Sequence, residues 1–115
     1  MPVEDGTIDP RPAIAAILDD LERRAAVGTI SARFHNGLAE ATATACAQAA
    51  CDRDIETVVL SGGVFQNRLL LERAAALVTA HGLRVLVPER LPPNDGGISF
   101  GQAAVAAART TDLEI

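Results

Sequence analysis

The chain has 115 residues, 49% hydrophobic and 22% charged, with fifteen acids, ten arginines and no lysine, for a net charge of −5. That length suits one small domain burying roughly two-thirds of the surface its unfolded chain exposes, and the apolar fraction excludes disorder. The acidic balance argues against nucleic acid and anionic membrane as partners reached by bulk charge.

The aromatic residues are three Phe, with no Trp or Tyr. Alanine takes their place, in runs over 13–16, 39–50 and 103–108, which suits close helix packing better than a bulky sandwich core. Residues 1–56 hold ten acids and five arginines, and residues 57–115 hold five of each, so the first half carries the whole charge deficit. The opening residues are acidic and proline-rich rather than a signal peptide. No apolar run reaches the length of a membrane span, and the chain is expected to be soluble and cytoplasmic.

In chain order, residues 1–9 read as a terminal loop. Pro10 and Pro12 suit the first turn of a helix, where a missing N–H costs nothing. Ile14, Ile17, Leu18 and Leu21 follow at helical spacing, and Gly28 is expected to end that helix. Thr29 or Ser31 then caps a longer helix to about Asp52, with Ile30, Phe34, Leu38 and Ala41 or Ala45 on one face. At Glu56–Ser61 the period changes to a β-branched run that stops at Gly62-Gly63, as a strand buried on both faces does. A helix is expected from about Asn67 to Ala80, closed by His81-Gly82, then a strand over Arg84–Val87 closed by Pro88. Leu91–Gly97 reads as a loop, Ile98–Arg109 as a last Ala-rich helix, and 111–115 as a tail. The order α-α-β-α-β-α contains one right-handed parallel βαβ unit. A two-stranded parallel sheet is too small to stand alone, so other strands or a longer chain must complete it.

Ser61-Gly62-Gly63-Val64 lies where a parallel strand turns toward a helix. Ligands of open α/β sheets sit off such strand ends, and glycine there lets backbone approach a phosphate or ribose; a tight turn with no ligand is the plain alternative. Neither a P-loop nor a dinucleotide fingerprint fits, since no Gly-Lys-Ser/Thr follows and the third glycine is missing. Asn67 is either an N-cap or a contact to a nucleotide. Pro92-Pro93-Asn94-Asp95-Gly96-Gly97 falls on the same sheet edge. Asp95 beside Gly96 could ligate a metal or face a phosphate, or simply cap a turn. Two glycine turns on one edge, one bearing a carboxylate, favour a nucleotide–metal cleft. Gly101 reads as a packing position of the last helix. His35 reads as a polar core or interface histidine, His81 as a partner of helix C-terminal carbonyls, and Cys46 and Cys51 as buried small hydrophobes rather than ligands or a disulfide.

The run Val58-Val59-Leu60-Ser61-Gly62-Gly63-Val64-Phe65-Gln66-Asn67-Arg68-Leu69-Leu70, with Pro92-Pro93-Asn94-Asp95-Gly96-Gly97-Ile98-Ser99-Phe100-Gly101-Gln102 and Ala32-Arg33-Phe34-His35-Asn36, resembles the C-terminal end of the HypF family, carbamoyltransferases of nickel–iron hydrogenase maturation. The likeness spans nearly all of residues 10–110. It implies an α/β fold that is part of a Kae1-like domain, the C-terminal lobe of the ASKHA (actin-like and sugar-kinase-like) superfamily. It implies an enzyme that converts carbamoyl phosphate and ATP to a carbamoyl-adenylate and passes the carbamoyl group to the C-terminal cysteine of HypE. It further implies nucleotide contacts at Ser61, Gly62, Gly63, Val64, Asn67 and Gly96, and a divalent metal, Mg or Zn, at Asp95.

The chain departs from the family pattern in having no HxxxH pair, and the family's other domains and the first half of its Kae1-like domain have no counterpart. The fragment is therefore expected to be inactive alone and to pair as a homodimer through its open sheet edge. Two alternatives stand beside this. One is a fragment of the tRNA threonylcarbamoyl-transferase branch, disfavoured by Phe65-Gln66, by the Asn-Asp-Gly-Gly run and by the acidic balance. The other is a non-catalytic, self-associating module.

Overall fold

A computed structural model describes residues 1–111; from residue 112 the expected tail lies outside the described residues. Residues 1–9, expected as a loop, instead open with a hairpin. β1 (Val3–Glu4) and β2 (Thr7–Ile8) pair antiparallel, with Val3 opposite Ile8. Asp5 and Gly6 make the two-residue turn at φ 49° and 75°. An Asp-Gly pair with both residues left-handed gives the turn whose twist matches a hairpin's strands, so the pair in the sequence was a hairpin signal.

α1 (Arg11–Glu22) carries a proline in its first turn, and Asp9 Oδ1 accepts from the Arg11 N–H at 3.0 Å. The helix ends at Arg23 and at Arg24, which turns left-handed at φ 56°. Gly28 does not end it. That glycine lies in the first turn of α2 (Val27–Arg53), whose N-cap is Ala26, with no side-chain cap from Thr29 or Ser31. The reversal is closed by the backbone instead: Arg24 N–H donates to Leu21 O, and Ala25 N–H to Asp20 O. Across it, Arg33 Nη1 donates to both carboxylate oxygens of Asp20, at 2.6 and 2.7 Å.

α2 is about 40 Å long at ~1.5 Å per residue and packs chiefly on α3 (Arg68–Ala80). Ala39 of α2 and Ala74 of α3 expose none of their surface and share one core with Leu60 and Leu70. Small residues there let the two helices lie close, as the alanine-rich sequence suggested. β3 (Thr57–Val59) and β4 (Arg84–Leu86) pair in parallel, with Val58 beside Val85. Leu60 N–H donates to Leu86 O and carries the ladder one residue further. Gly82, at φ 82°, turns the chain from α3 into β4.

The strand expected to be buried on both faces is buried on one. Val58 and Val85 pack against the α2–α3 core, while Val59 is 62% exposed and Leu86 45%. The reason is that no element among the described residues packs on the other face. α4 (Ile98–Thr111) follows a 3-10 turn over Asp95–Gly97, and every side chain from Ile98 to Thr110 is exposed. Gly101, expected at a close helix contact, has open space where a Cβ would stand.

The size expectation fails in the same way. The accessible surface is 8387 Å², against about 6000 Å² for a compact protein of this mass. The chain thus buries about half of its unfolded surface rather than two-thirds. Its radius of gyration is 17.6 Å, where about 13 Å is usual. No helix among the described residues is long and apolar enough to cross a membrane.

Candidate functional site

The site begins where β3 runs out. Leu60 is buried under the helices, and the chain leaves the sheet at Ser61. Gly62 then adopts φ 105° and ψ 160°, a region open essentially to glycine alone. That conformation aims the Gly62 N–H at Pro93 O, 2.7 Å away, in the loop after β4. Gly63–Gln66 form a 3-10 turn, and Asn67 starts α3.

The second turn is built by its own side chain. Asn94 Oδ1 accepts from Gly96 N–H at 3.0 Å, and Asn94 O accepts from Gly97 N–H at 3.0 Å. Gly97 must be glycine, because a Cβ there would lie 2.9 Å from Pro92 O. Between the turns is an open cleft of about 380 Å³ lined by Ser61, Gly62, Pro93, Asn94, Asp95 and Gly97 among others. Backbone of both turns and the Asp95 carboxylate therefore border a single space off the carboxyl ends of two parallel strands, while the Gly62, Gly96 and Gly97 amides are engaged within the protein. Ligands of open α/β sheets sit at such strand ends.

Of the residues singled out from the sequence, Ser61, Gly62 and Asp95 line this cleft. Gly63 stands across from Asn94, with 4.0 Å from its Cβ position to the Asn94 Cβ, and Gly96 lies within the second turn. Val64 is 57% exposed and is not in the lining, and neither is Asn67. The Asn67 side chain makes two hydrogen bonds within the protein. Its Oδ1 accepts from Leu70 N–H at 3.2 Å, capping α3, and its Nδ2 lies 2.8 Å from His35 Nε2.

That last contact was not foreseen, since His35 and Asn67 are 32 positions apart. The signal lay in α2, where His35, Leu38 and Ala39 follow one another at helical spacing, and Leu38 and Ala39 face the α3 core. A polar residue one turn before them belongs opposite the start of α3. His81 meets the carbonyls of Leu77 and Val78 through its backbone N–H. Cys46 and Cys51 are both free; Cys46 is half-buried, which raises its thiol pKa, whereas Cys51, expected to be buried, is exposed.

For a metal the fit is poor. Among the described residues no group of three or more His, Cys, Asp or Glu side chains gathers. Asp95 is a single carboxylate, short of the three or four ligands a resident Zn needs or the six oxygens of Mg.

The chain is similar to known proteins in sequence and in fold. The family model described as carbamoyltransferase, Kae1-like domain, second subdomain, matches residues 1–102. A carbamoyltransferase HypF homolog of Cupriavidus necator is 36% identical over 110 residues, covering 94% of this chain and 28% of that protein. Carbamoyltransferase HypF of a Synechocystis species is 40% identical over 95 residues, covering 83% of this chain and 12% of that protein. A crystal structure of full-length HypF in its phosphate- and nucleotide-bound form superposes with a TM-score of 0.82 at 39% identity, over 86% of this chain and 13% of that one. HypF of T. kodakarensis superposes with a TM-score of 0.83 at 31% identity, over 96% of this chain and 14% of that one. The chain thus spans between 12% and 28% of the length of these proteins.

Proposed function

We propose, from the premise that this chain belongs to the HypF carbamoyltransferase family as the second subdomain of its Kae1-like domain, that it carries the nucleotide-facing part of a carbamoyltransferase site. One observation carries this reading. The Gly62 N–H is clasped to Pro93 O, which holds two glycine turns from separate βα junctions around one cleft.

In this reading the backbone at Ser61–Val64 and Gly96 approaches the phosphates and ribose of ATP, and Asn67 meets the nucleotide from the head of α3. Asp95 offers one carboxylate to a divalent cation carried on the phosphates. The reaction served is that of the whole enzyme: carbamoyl phosphate and ATP give a carbamoyl-adenylate, whose carbamoyl group passes to the C-terminal cysteine of HypE for nickel–iron hydrogenase maturation. The fold is then the later part of an ASKHA C-terminal lobe, working in the cytoplasm and inactive alone. Its exposed sheet edge is the pairing surface for a second copy.

Calorimetric titration of the chain with ATP and Mg²⁺ tests the reading. Saturable binding is expected, weakened about tenfold or more in Gly62→Ala, since a non-glycine residue at that φ and ψ is strained by roughly 1–3 kcal/mol. Asp95→Asn keeps the fold and is expected to lower affinity in Mg²⁺ more than in its absence. No binding by the wild-type chain would contradict the proposal.

A further inference from the structure

We infer that His35 is a positioning residue for the nucleotide site, holding the side-chain amide of Asn67 in one orientation from α2. The inference rests on the nucleotide reading given above. It starts from a chain of hydrogen bonds whose direction is fixed at both ends. Leu70 N–H is a donor only, so the Asn67 atom 3.2 Å from it is the carbonyl oxygen, Oδ1. The other end of the amide is therefore Nδ2, which can only donate. Its neighbour at 2.8 Å, His35 Nε2, must therefore be the acceptor. The proton of the neutral ring then sits on Nδ1, which lies 2.8 Å from Ser31 O, an acceptor only. Ser31 Oγ stands 3.4 Å from the same nitrogen as a second, longer neighbour.

No link in this series can be reversed without placing two donors or two acceptors face to face. Turning the amide over would set Oδ1 against His35 Nε2 and Nδ2 against the Leu70 N–H, losing both bonds. One N–H of Asn67 Nδ2 is used by the ring, and the other remains for a ligand. Asn67 is exposed and half-buried His35 backs it from α2. An exposed asparagine held this way offers a ligand a donor of fixed direction instead of a rotating amide, so less freedom is lost on binding. His35 itself touches no ligand; it acts through Asn67.

The test uses three substitutions with different geometry. The amide of glutamine can place Oε1 where His35 Nε2 accepts, whereas the shorter asparagine reaches only the Nδ1 position. ATP–Mg²⁺ affinity of the chain is expected to fall about fivefold, the effect of one hydrogen bond, in His35→Ala and in His35→Asn. It is expected to be rescued in His35→Gln. The double variant His35→Ala/Asn67→Ala is expected to bind no more weakly than Asn67→Ala, since the two act as one unit. Nitrogen-15 NMR of the His35 ring is expected to show the proton on Nδ1, and thermal melting of each variant checks its fold.

Equal affinity for wild type and His35→Ala, alongside a weakened Asn67→Ala, would overturn this inference alone. Rescue by His35→Asn rather than His35→Gln would overturn it too, because a role in filling the helix face or bonding Ser31 predicts that pattern. A ring protonated on Nε2 would do the same. Absence of nucleotide binding by the wild-type chain would overturn the reading of the site and this inference together.

Discussion

Gly97 shows how tightly single residues set the cleft. Its missing side chain leaves 2.9 Å between a would-be Cβ and Pro92 O, a backbone atom that cannot swing aside. Gly97→Ala is expected to cost the turn about 1–3 kcal/mol through overpacking. Because the clasp from Gly62 ends on Pro93, next in the chain to Pro92, the damage should reach the first turn. Hydrogen exchange at the Gly62 amide is expected to speed up about tenfold or more in that variant; unchanged exchange would mean the turns are independent. These single-residue features were unevenly legible in the sequence. The glycines announced themselves, because few other residues suit such turns. The Asp5-Gly6 turn carries a local hairpin signal, whereas the bond between His35 and Asn67 is hidden because it joins distant positions through a helix face. The termination expected at Gly28 failed for a different reason: Arg24 took the left-handed conformation and the backbone closed the reversal without glycine.

Helices α2 and α3 carry the stability, and they do so with small side chains. Ala39 and Ala74, both at 0% exposure, meet in the core beside Leu60 and Leu70. Ala74→Leu is expected to destabilise the chain by roughly 1–3 kcal/mol, since the extra atoms have no void to enter. Urea denaturation followed by circular dichroism reads this as a lower midpoint, and a midpoint equal to that of wild type would show the crossing to be loose. The βαβ unit was readable at this scale because period, breaker residues and strand length agree locally: Asn67 does cap α3, and Gly82 does turn into β4. The burial of each element was not readable. The apolar run at 57–60 has the composition of a strand covered twice, and composition says nothing about whether a second layer is present to cover it.

The whole molecule is extended and partly bare, with principal extents of 65, 31 and 22 Å. Ile98, Phe100 and Val105 on α4, and Val59 and Leu86 on the sheet, expose between 45% and 62% of their surface. Ile14, Leu18 and Leu21 add an exposed apolar row on α1. Surfaces of this kind mark association. Sedimentation at micromolar concentration is accordingly expected to give a dimer, and a stable monomer would contradict pairing through the sheet edge. The expectation of one small, well-buried domain therefore gives way to a layer with one packed face, at whose strand ends the two glycine turns meet. Nucleotide binding at the two turns is tested by following the backbone amides by NMR while ATP and Mg²⁺ are added. Saturable shifts concentrated at Ser61–Val64 and Asn94–Gly97 are predicted; no saturable shift, or shifts centred away from both turns, would contradict it.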